Sequence, residues 1–298
     1  MLFVSKWWRP LKGDPASWLL DDDNPAIRYA MLTDVLNRQT DTPVVREARG
    51  ALARYDLPRR ILAAQHPDRG WGSPANPAMP TWQATADHLV VLAELGAPGN
   101  DERIATAADW ALDQARAPDG DYDLPGAFLW ALLRFGYHDD PRVRRASRRA
   151  AKSLVARGAP GALIQRDVWD GVPAVWALLQ LPQSERWPGL EAAIQTGLAD
   201  IEHMEWASVP AARLAFGFPH LGEADLLLAL RTLAQAGRLT DERLQPAIDL
   251  LAAQQTERGR WPLARDHRER LLYPMEAAGP ESKWSTLNAL RVLRATET

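Results

Sequence analysis

The 298-residue chain contains no cysteine. Without a thiol there can be no disulfide bond, no thiolate metal ligand and no cysteine nucleophile. Runs in which valine, isoleucine or threonine alternate with polar residues are almost missing too, which argues against extensive β-structure. No stretch approaches the ~18 consecutive apolar residues that a membrane span needs. The three apolar residues before Ser5 are too few for a secretory signal. We therefore expect a cytoplasmic protein with no integral membrane segment.

The chain also lacks an excess of charge of one sign, since 35 basic residues stand against 38 acidic ones and the net charge is −3. This balance argues against a nucleic-acid partner, which would favour a basic surface. The 46% share of hydrophobic residues excludes a disordered chain. At 298 residues the chain has the length of two ordinary domains or of one large closed architecture.

A short pattern occurs three times: an aspartate, an arginine two residues later, then an aliphatic residue and, three positions on, an alanine. Each copy follows a glycine that ends an apolar run. Glycine favours the left-handed conformation that ends a helix, and aspartate caps the start of the next helix. The pattern therefore predicts helical hairpins that recur about every 40–50 residues. The copies begin at Asp101, Asp140 and Asp241, and the glycines are Gly96, Gly136 and Gly237.

Apolar periodicity predicts two alternating sets of helices. The first set is apolar nearly all round, as expected of buried helices, and the second carries charged stripes, as expected of helices that face water. Six buried helices, the last of which ends near the C-terminus without a polar cap, favour a closed double ring over an open array. We thus expect an all-α (α/α)6 toroid that forms one domain over residues 1–298, with residues 1–20 as an arm that packs on or closes the ring. The first set spans residues 24–37, 81–95, 126–135, 171–181, 221–236 and 282–294; the second spans 43–65 (broken near Leu57 and Pro58), 101–114, 141–156, 190–203 and 241–255.

Turns that carry a tryptophan close two of the outer helices. In Gln65–Trp71 and Gln255–Trp261, a glutamine precedes the tryptophan by six residues and a glycine lies between them. The segment from Gln114 to Tyr122 has a similar layout, with tyrosine as the aromatic residue. Glutamine can bond the free carbonyls at a helix end, glycine allows a left-handed turn, and the aromatic ring packs back on the helix.

These turns resemble the QW motif of terpenoid cyclases, squalene–hopene cyclase among them. Those enzymes are built on an (α/α)6 toroid that the β subunits of protein prenyltransferases share. The resemblance extends, as repeated architecture, over residues 21–294. It implies a single toroid with a central, aromatic-lined cavity that binds an isoprenoid or another hydrophobic small molecule.

The motifs that carry chemistry in that family are missing. Class II cyclases protonate their substrate with an Asp-x-Asp-Asp motif, whereas the acidic clusters of this chain are Asp21–Asp23, Asp119–Asp123 and Asp139–Asp140. The Asp-Asp-x-x-Asp cluster that binds magnesium and diphosphate is absent as well, and the prenyltransferase zinc site needs a cysteine. We therefore expect no metal and no cofactor. Any acid–base chemistry would have to come from other residues.

The remaining candidates are polar and aromatic residues near the starts of the predicted buried helices, which open into the funnel of a helical toroid. Several have a second interpretation: Asp121 and Asp170 occupy positions typical of helix caps, and His88 is typical of a buried, hydrogen-bonded histidine. His220, expected in a loop, forms a weak metal-like grouping with the acidic residues that follow it. Candidate catalytic residues are Asp87, His88, Asp121, Asp123, Asp170 and His220, and candidate ligand-binding residues are Trp82, Trp169, Trp206, Glu223, Tyr273 and Trp284.

Three functions stay open at this point. The first is the isoprenoid-binding toroid, whose tryptophans would stabilise a carbocation or hold an apolar ligand. The second is a carbohydrate-active (α/α)6 enzyme, which needs two carboxylates about 5–9.5 Å apart; Asp123 with Asp170, or Asp87 with Glu223, would be the pairs. The third is a non-catalytic helical-repeat scaffold for a protein partner, which predicts a filled centre and an exposed apolar patch.

Overall fold

The computed structural model describes residues 6–157 and 167–297. Within these ranges the chain is mostly helical, with one small two-stranded sheet, so the all-α expectation is confirmed at the level of the class. The helices are α1 (Ala16–Leu19), α2 (Pro25–Ala30, continued by a π-helical segment over Met31–Val35), α3 (Pro43–Ala53), α4 (Asp56–Ala63), α5 (Thr81–Glu94), α6 (Glu102–Gln114), α7 (Gly126–Arg134), α8 (Pro141–Arg157), α9 (Val172–Leu178), α10 (Leu190–Glu202), α11 (Ala211–Leu214), α12 (Leu226–Gln235), α13 (Gln245–Ala253) and α14 (Lys283–Ala295). Short 3₁₀ segments cover Lys6–Trp8, Tyr137–Asp139, Val168–Gly171, Gln183–Glu185, Trp206–Ser208 and Glu242–Leu244.

The three Asp-x-Arg segments start helical segments, as predicted. In each, an aspartate oxygen accepts a hydrogen bond from the backbone N–H of the arginine at 2.7–2.9 Å, and the arginine guanidinium binds the same carboxylate. The three preceding glycines have φ between 67° and 90°, the left-handed conformation that ends a helix at no steric cost for glycine. Both local predictions are confirmed.

Two sets of helices follow the predicted alternation. Helices α2, α5, α7, α9, α12 and α14 are largely buried; in α5, every residue from Ala84 to Ala93 is buried. These inner helices pack one against the next, α5 on α7, α7 on α9, α9 on α12, α12 on α14 and α14 on α2. Helices α3, α4, α6, α8, α10 and α13 form the outer set, and each packs on a member of the inner set. The main hydrophobic cluster reaches from Trp7 to Leu293, and a small second cluster of Leu32, Val45 and Ala48 lies between α2 with its π-helical continuation and α3.

Three helix boundaries differ from the predictions. Helix α12 begins at Leu226 rather than at residue 221, because Asp225 caps it by accepting a hydrogen bond from the backbone N–H of Leu228 at 2.9 Å. Helix α9 is shorter at both ends than predicted. The break in the first outer helix falls at residues 54–55, and Pro58 lies in the first turn of α4, where a proline removes no helical hydrogen bond.

Sequence reasoning missed a short β-hairpin as well as the one-turn helices α1 and α11. Strand β1 (Trp261–Leu263) pairs antiparallel with β2 (Gly279–Ser282). Both strands are too short to show an alternation of apolar and polar residues, and each contains a proline. Neither segment therefore has the sequence pattern that predicts a strand. The residues between them form a long connection, the 264–278 loop, which returns to α5: Ser73 donates a hydrogen bond to the carbonyl of Glu269 at 2.9 Å, and Arg270 binds Asp87.

The two tryptophan turns are built by the same hydrogen bonds. In each, the indole N–H donates at 2.7 Å to the carbonyl ten residues earlier in an outer helix, and the backbone N–H donates at 2.9 Å to a buried threonine of an inner helix. Each turn therefore ties an outer helix to an inner one. The first turn joins Trp71 to Ile61 and Thr85, and the second joins Trp261 to Leu251 and Thr286.

The tyrosine turn has a different register from the predicted one. Gln65 donates through its side chain to the carbonyl four residues later at 2.9 Å, and Arg116, not Gln114, makes the equivalent bond to Gly120 at 3.2 Å. Arg116 also lies six residues before Tyr122, which matches the spacing in the tryptophan turns. The alignment of this turn on Gln114 was wrong, because an arginine takes the place of the glutamine.

The N-terminal arm packs on the last elements of the chain. Trp7 and Trp8 are buried, the backbone N–H of Trp7 donates to Glu297 at 2.8 Å, and that of Lys12 donates to Gln255 at 2.7 Å. Residues 1–5 of the predicted arm lie outside the described residues. The arm thereby joins the start of the described chain to its end.

Candidate functional site

A group of buried side chains lies between the inner helices, and we call it the central cluster. It combines aromatic rings with polar and charged groups from α5, α9, α12, α14 and the loop before α12. Its aromatic members are each 2% exposed, and its charged side chains are about a tenth exposed or less. The central cluster consists of Glu94, Trp176, Phe218, His220, Arg231, Trp284, Ser285 and Asn288.

Ring contacts hold the central cluster together. Phe218 stacks on Trp284 with ring centroids 4.7 Å apart. His220 meets Phe218 and Trp176 edge-on, at 5.7 and 6.0 Å. The guanidinium carbon of Arg231 lies 5.5 Å from the Trp176 ring centroid, which is a cation–π contact. These contacts form a continuous path from α14 through the loop to α9 and α12.

One ion pair links helices that are not neighbours in the packing order. Nη1 of Arg231 in α12 lies 3.6 Å from Oε1 of Glu94 at the end of α5. Two other inner helices, α7 and α9, stand between α5 and α12 in the sequence of helix contacts. The inner helices must therefore curve, so that α5 and α12 face each other.

Several polar atoms of the central cluster are buried without a hydrogen-bond partner. Such atoms normally bind protein, water or ligand, and each one left alone costs about 1–3 kcal/mol. Because these atoms lie together, a polar group placed among them would complete several hydrogen bonds at once. The unpartnered atoms are His220 Nδ1 and Nε2, Trp284 Nε1, Ser285 Oγ and Asn288 Nδ2, whereas Glu94 Oε1 and Arg231 Nη1 have each other at 3.6 Å.

His220 is positioned by Asp225 and the 264–278 loop. Asp225 accepts hydrogen bonds from the backbone N–H groups of Leu228 and Gly217, the latter at 2.8 Å, and burial raises its pKa to about 6. The backbone N–H of Phe218 donates to the carbonyl of Arg265 at 3.1 Å. Burial, reinforced by nearby Arg231, lowers the pKa of His220 well below its usual value, so the imidazole is neutral and offers one donor and one acceptor.

Asp87 and His88 hold the 264–278 loop. The two oxygens of Asp87 each accept a hydrogen bond from Arg270 at 2.9 Å. Nδ1 of His88 lies 2.7 Å from the carbonyl of Ala84, and Nε2 accepts from the backbone N–H of Leu272 at 3.0 Å. Burial raises the pKa of Asp87 to about 7 and lowers that of His88 to about 4. This geometry matches the interpretation of His88 as a buried, hydrogen-bonded histidine.

A cleft of about 1000 Å³ between α7, α8 and α9 brings four other predicted residues together. Asp123, Trp169, Asp170 and Glu223 all line it, beside Arg149, Lys152 and Arg213. Its two arginines are paired: Arg149 lies 3.6 Å from both Asp121 and Asp123, and Arg213 lies 3.1 Å from Asp167 and stacks on Trp169 at 5.4 Å. The charged lining suits a polar ligand better than an apolar one.

The helix-cap interpretation of two aspartates is wrong. Asp170 lies within the 3₁₀ segment before α9, and it is Asp167 that accepts from the backbone N–H of Trp169, at 3.2 Å. The backbone N–H of Asp121 donates a hydrogen bond to Oδ1 of Asp119 at 3.1 Å, and the Asp121 carboxylate lies 3.6 Å from Arg149. The residues at the N-cap positions of α7 and α9 are Pro125 and Gly171, and neither helix has a side-chain cap.

The other predicted ligand-binding residues lie apart from the central cluster. Trp206 is edge-on to Trp169, with centroids 6.1 Å apart. Tyr273 is half-buried, and the guanidinium of Arg60 stands 4.3 Å from its ring centroid. Trp82 is half-buried in the first turn of α5. Of all predicted site residues, the central cluster therefore contains His220 and Trp284.

Sequence reasoning missed most of the central cluster, although one signal was present. Arg231 is the one charge in the apolar run from Leu226 to Leu233, and a charge on a helix that is apolar all round must find a buried partner. Asn288 interrupts α14 in the same way. Glu94, at the end of α5, carried no comparable signal.

In the described part of the chain, side chains of the types that bind metals come together at one place. His138, Asp139 and Glu185 have ligand atoms within 4.8 Å of one another. The guanidinium of Arg144 already binds there, 2.5 Å from Asp139 and 3.5 Å from Glu185. His220 and the acidic residues after it form no such group, because the carboxylate of Asp225 is used by backbone N–H groups.

Comparisons with known proteins give no relative. No family model matches the chain, and no curated protein matches it. Among the described residues, no helix combines the length and apolar character that crossing a membrane requires.

Proposed function

We propose that the chain forms an (α/α)6 toroid of the terpenoid-cyclase type and binds a hydrophobic small molecule of isoprenoid size at its centre. The order of contacts among the inner helices supports the ring, as does the ion pair between α5 and α12. The joining of the N-terminal arm to α14 and to the second tryptophan turn supports it further.

The observation that carries the proposal is the central cluster. Three stacked or edge-on aromatic side chains offer apolar surface to a ligand. The unpartnered polar atoms beside them need a partner that the protein does not supply. Apolar surroundings that contain a few polar groups are typical of small-molecule binding sites.

The experiment is a binding assay with three isoprenoid probes: the hydrocarbon farnesene, the alcohol farnesol and farnesyl diphosphate. A ligand present at 100 times its Kd stabilises the folded state by about 2.7 kcal/mol, so a bound probe raises the melting temperature by several degrees. We expect at least one probe to do this. If none of them binds the wild-type chain in equilibrium dialysis, the proposal is refuted.

A matched pair of variants locates the site. Ser285→Leu enlarges a buried side chain of the central cluster, whereas Ser208→Leu makes the same change at an exposed position. We expect the first to abolish the probe-induced stabilisation and the second to preserve it. Circular dichroism of both variants checks that the helices are intact, since overpacking a core costs about 1–3 kcal/mol.

A second candidate is a carbohydrate ligand in the cleft. Asp123, Trp169 and Asp170 line that cleft together, as the first of the predicted carboxylate pairs requires, whereas Asp87 is bound to Arg270. Hydrolysis of a panel of oligosaccharides, lost in Asp170→Asn, would favour this candidate. The scaffold alternative finds less support, since the exposed large apolar side chains in the described ranges are Val44 and Val155, on different helices.

A further inference from the structure

We infer that the central cluster selects a neutral ligand whose apolar body carries an oxygen acceptor, such as an alcohol, an aldehyde or a ketone. This inference rests on the proposed function and names the ligand class of the same site. It follows from three features of the cluster: its surplus of hydrogen-bond donors, the pairing of its charges and its aromatic lining.

Donors outnumber acceptors among the unpartnered atoms. The indole N–H of Trp284 and the amide nitrogen of Asn288 can only donate. The orientation of the Asn288 amide is determined by Arg291, which donates to its oxygen at 2.8 Å and leaves the nitrogen unpartnered. Ser285 and the neutral His220 can each donate once more. A hydrocarbon would leave all of these donors buried and unpaired.

The charges of the cluster are already matched. Arg231 stands beside Glu94, and Arg291 at the edge of the cluster binds Asp34 at 2.5 Å. A diphosphate would bring several negative charges into a buried place whose own cation, Arg231, is already paired with Glu94. Burying an uncompensated charge costs far more than burying a neutral hydroxyl or carbonyl group. The donors therefore suit a neutral oxygen.

The aromatic side chains provide the surface for the apolar body. The unpartnered indole N–H belongs to Trp284, and the ring of Trp284 stacks on Phe218. A ligand oxygen bonded to this N–H thus places its carbon chain against the rings of the cluster. Ordered water is the competing occupant, since water also satisfies buried donors.

The test compares the three probes in equilibrium dialysis. We expect farnesol to bind at least about tenfold more tightly than farnesene or farnesyl diphosphate, because the lost hydrogen bonds or the buried charge weaken the other two. Equal or tighter binding of the hydrocarbon overturns this inference and leaves the proposed function standing, and it identifies water as the partner of the donors. Tighter binding of the diphosphate overturns it as well. Absence of binding by all three refutes both proposals.

Variants then test which atoms select the alcohol. Trp284→Phe removes one donor, and Asn288→Leu removes another with little change in volume. Each should weaken farnesol binding about 5- to 30-fold, as the loss of one hydrogen bond to a buried donor predicts, and leave farnesene binding within about twofold. Trp206→Phe is the matched control, because it also deletes a buried, unpartnered indole N–H but lies outside the central cluster. If the control weakens farnesol binding as much as Trp284→Phe does, the assigned site is wrong.

Discussion

Replacing the two buried threonines of the tryptophan turns by valine tests how the turns stabilise the fold. Thr85 and Thr286 are both 0% exposed, and each accepts a hydrogen bond from a tryptophan backbone N–H at 2.9 Å. Valine has nearly the same shape as threonine but no acceptor. Thr85→Val and Thr286→Val therefore leave a buried N–H of Trp71 or Trp261 without a partner and open no cavity.

The expected loss of stability follows from the burial of those N–H groups. A buried donor without a partner costs about 1–3 kcal/mol. The two turns share no residue, so the double variant should lose the sum, about 2–6 kcal/mol. That sum is a large part of the roughly 5–15 kcal/mol by which a typical protein is stable.

Urea unfolding, followed by far-ultraviolet circular dichroism, measures both effects. The control is Thr106→Val, since the Thr106 hydroxyl is exposed and bonds only the carbonyl of Glu102 in its own helix; it should change the unfolding free energy by less than about 0.5 kcal/mol. If either buried variant is as stable as the control, the turns do not hold the inner and outer helices together as described.

Three further changes probe other parts of the structure. Gly70→Ala should cost more than about 2 kcal/mol in urea unfolding, because its added methyl would overlap the side chain of a buried threonine, whereas Gly72→Ala, which meets no atom within 4 Å, should be near neutral. Asp87→Asn should gain stability relative to the wild type as the pH rises from about 4 to 7, by on the order of 4 kcal/mol. Glu94→Gln should lower the unfolding free energy by about 3–5 kcal/mol, because it leaves the charge of Arg231 buried without its partner.

The direction of the Asp87 effect comes from its raised pKa. Burial raises this pKa from 3.8 to about 7, against the opposing influence of Arg270. The folded state therefore holds the proton more tightly than the unfolded chain does, and the resulting stability is complete below pH 3.8 and lost as the pH approaches 7. Asparagine is neutral throughout and shows no such loss. A stability difference that stays constant over this range, measured by urea unfolding at each pH, would contradict the assignment.

The glycine variants and Glu94→Gln each have a result that would contradict the prediction. Equal stability of the two alanine variants at positions 70 and 72 would mean that Thr85 can move aside without cost. For Glu94→Gln, the same substitution at the exposed Glu102 serves as the control. Equal effects at both positions would mean that the ion pair between α5 and α12 contributes nothing to the centre.

The sequence determined what depends on neighbouring residues. The caps at Asp101, Asp140 and Asp241 and the glycines with positive φ were predictable, because each requires only a few adjacent residues. The succession of buried and water-facing helices was predictable for the same reason, since apolar periodicity is a property of one segment.

Tertiary structure alone decided what lies at the centre. Glu94 and Arg231 stand far apart in the chain, yet their side-chain atoms come within 3.6 Å, and the hairpin partners Trp261 and Ser282 are separated by the whole 264–278 loop. No local pattern encodes such distances, because they depend on how each helix is rotated and packed against the next. Side chains that face a shared interior become a site only once that packing has brought them together.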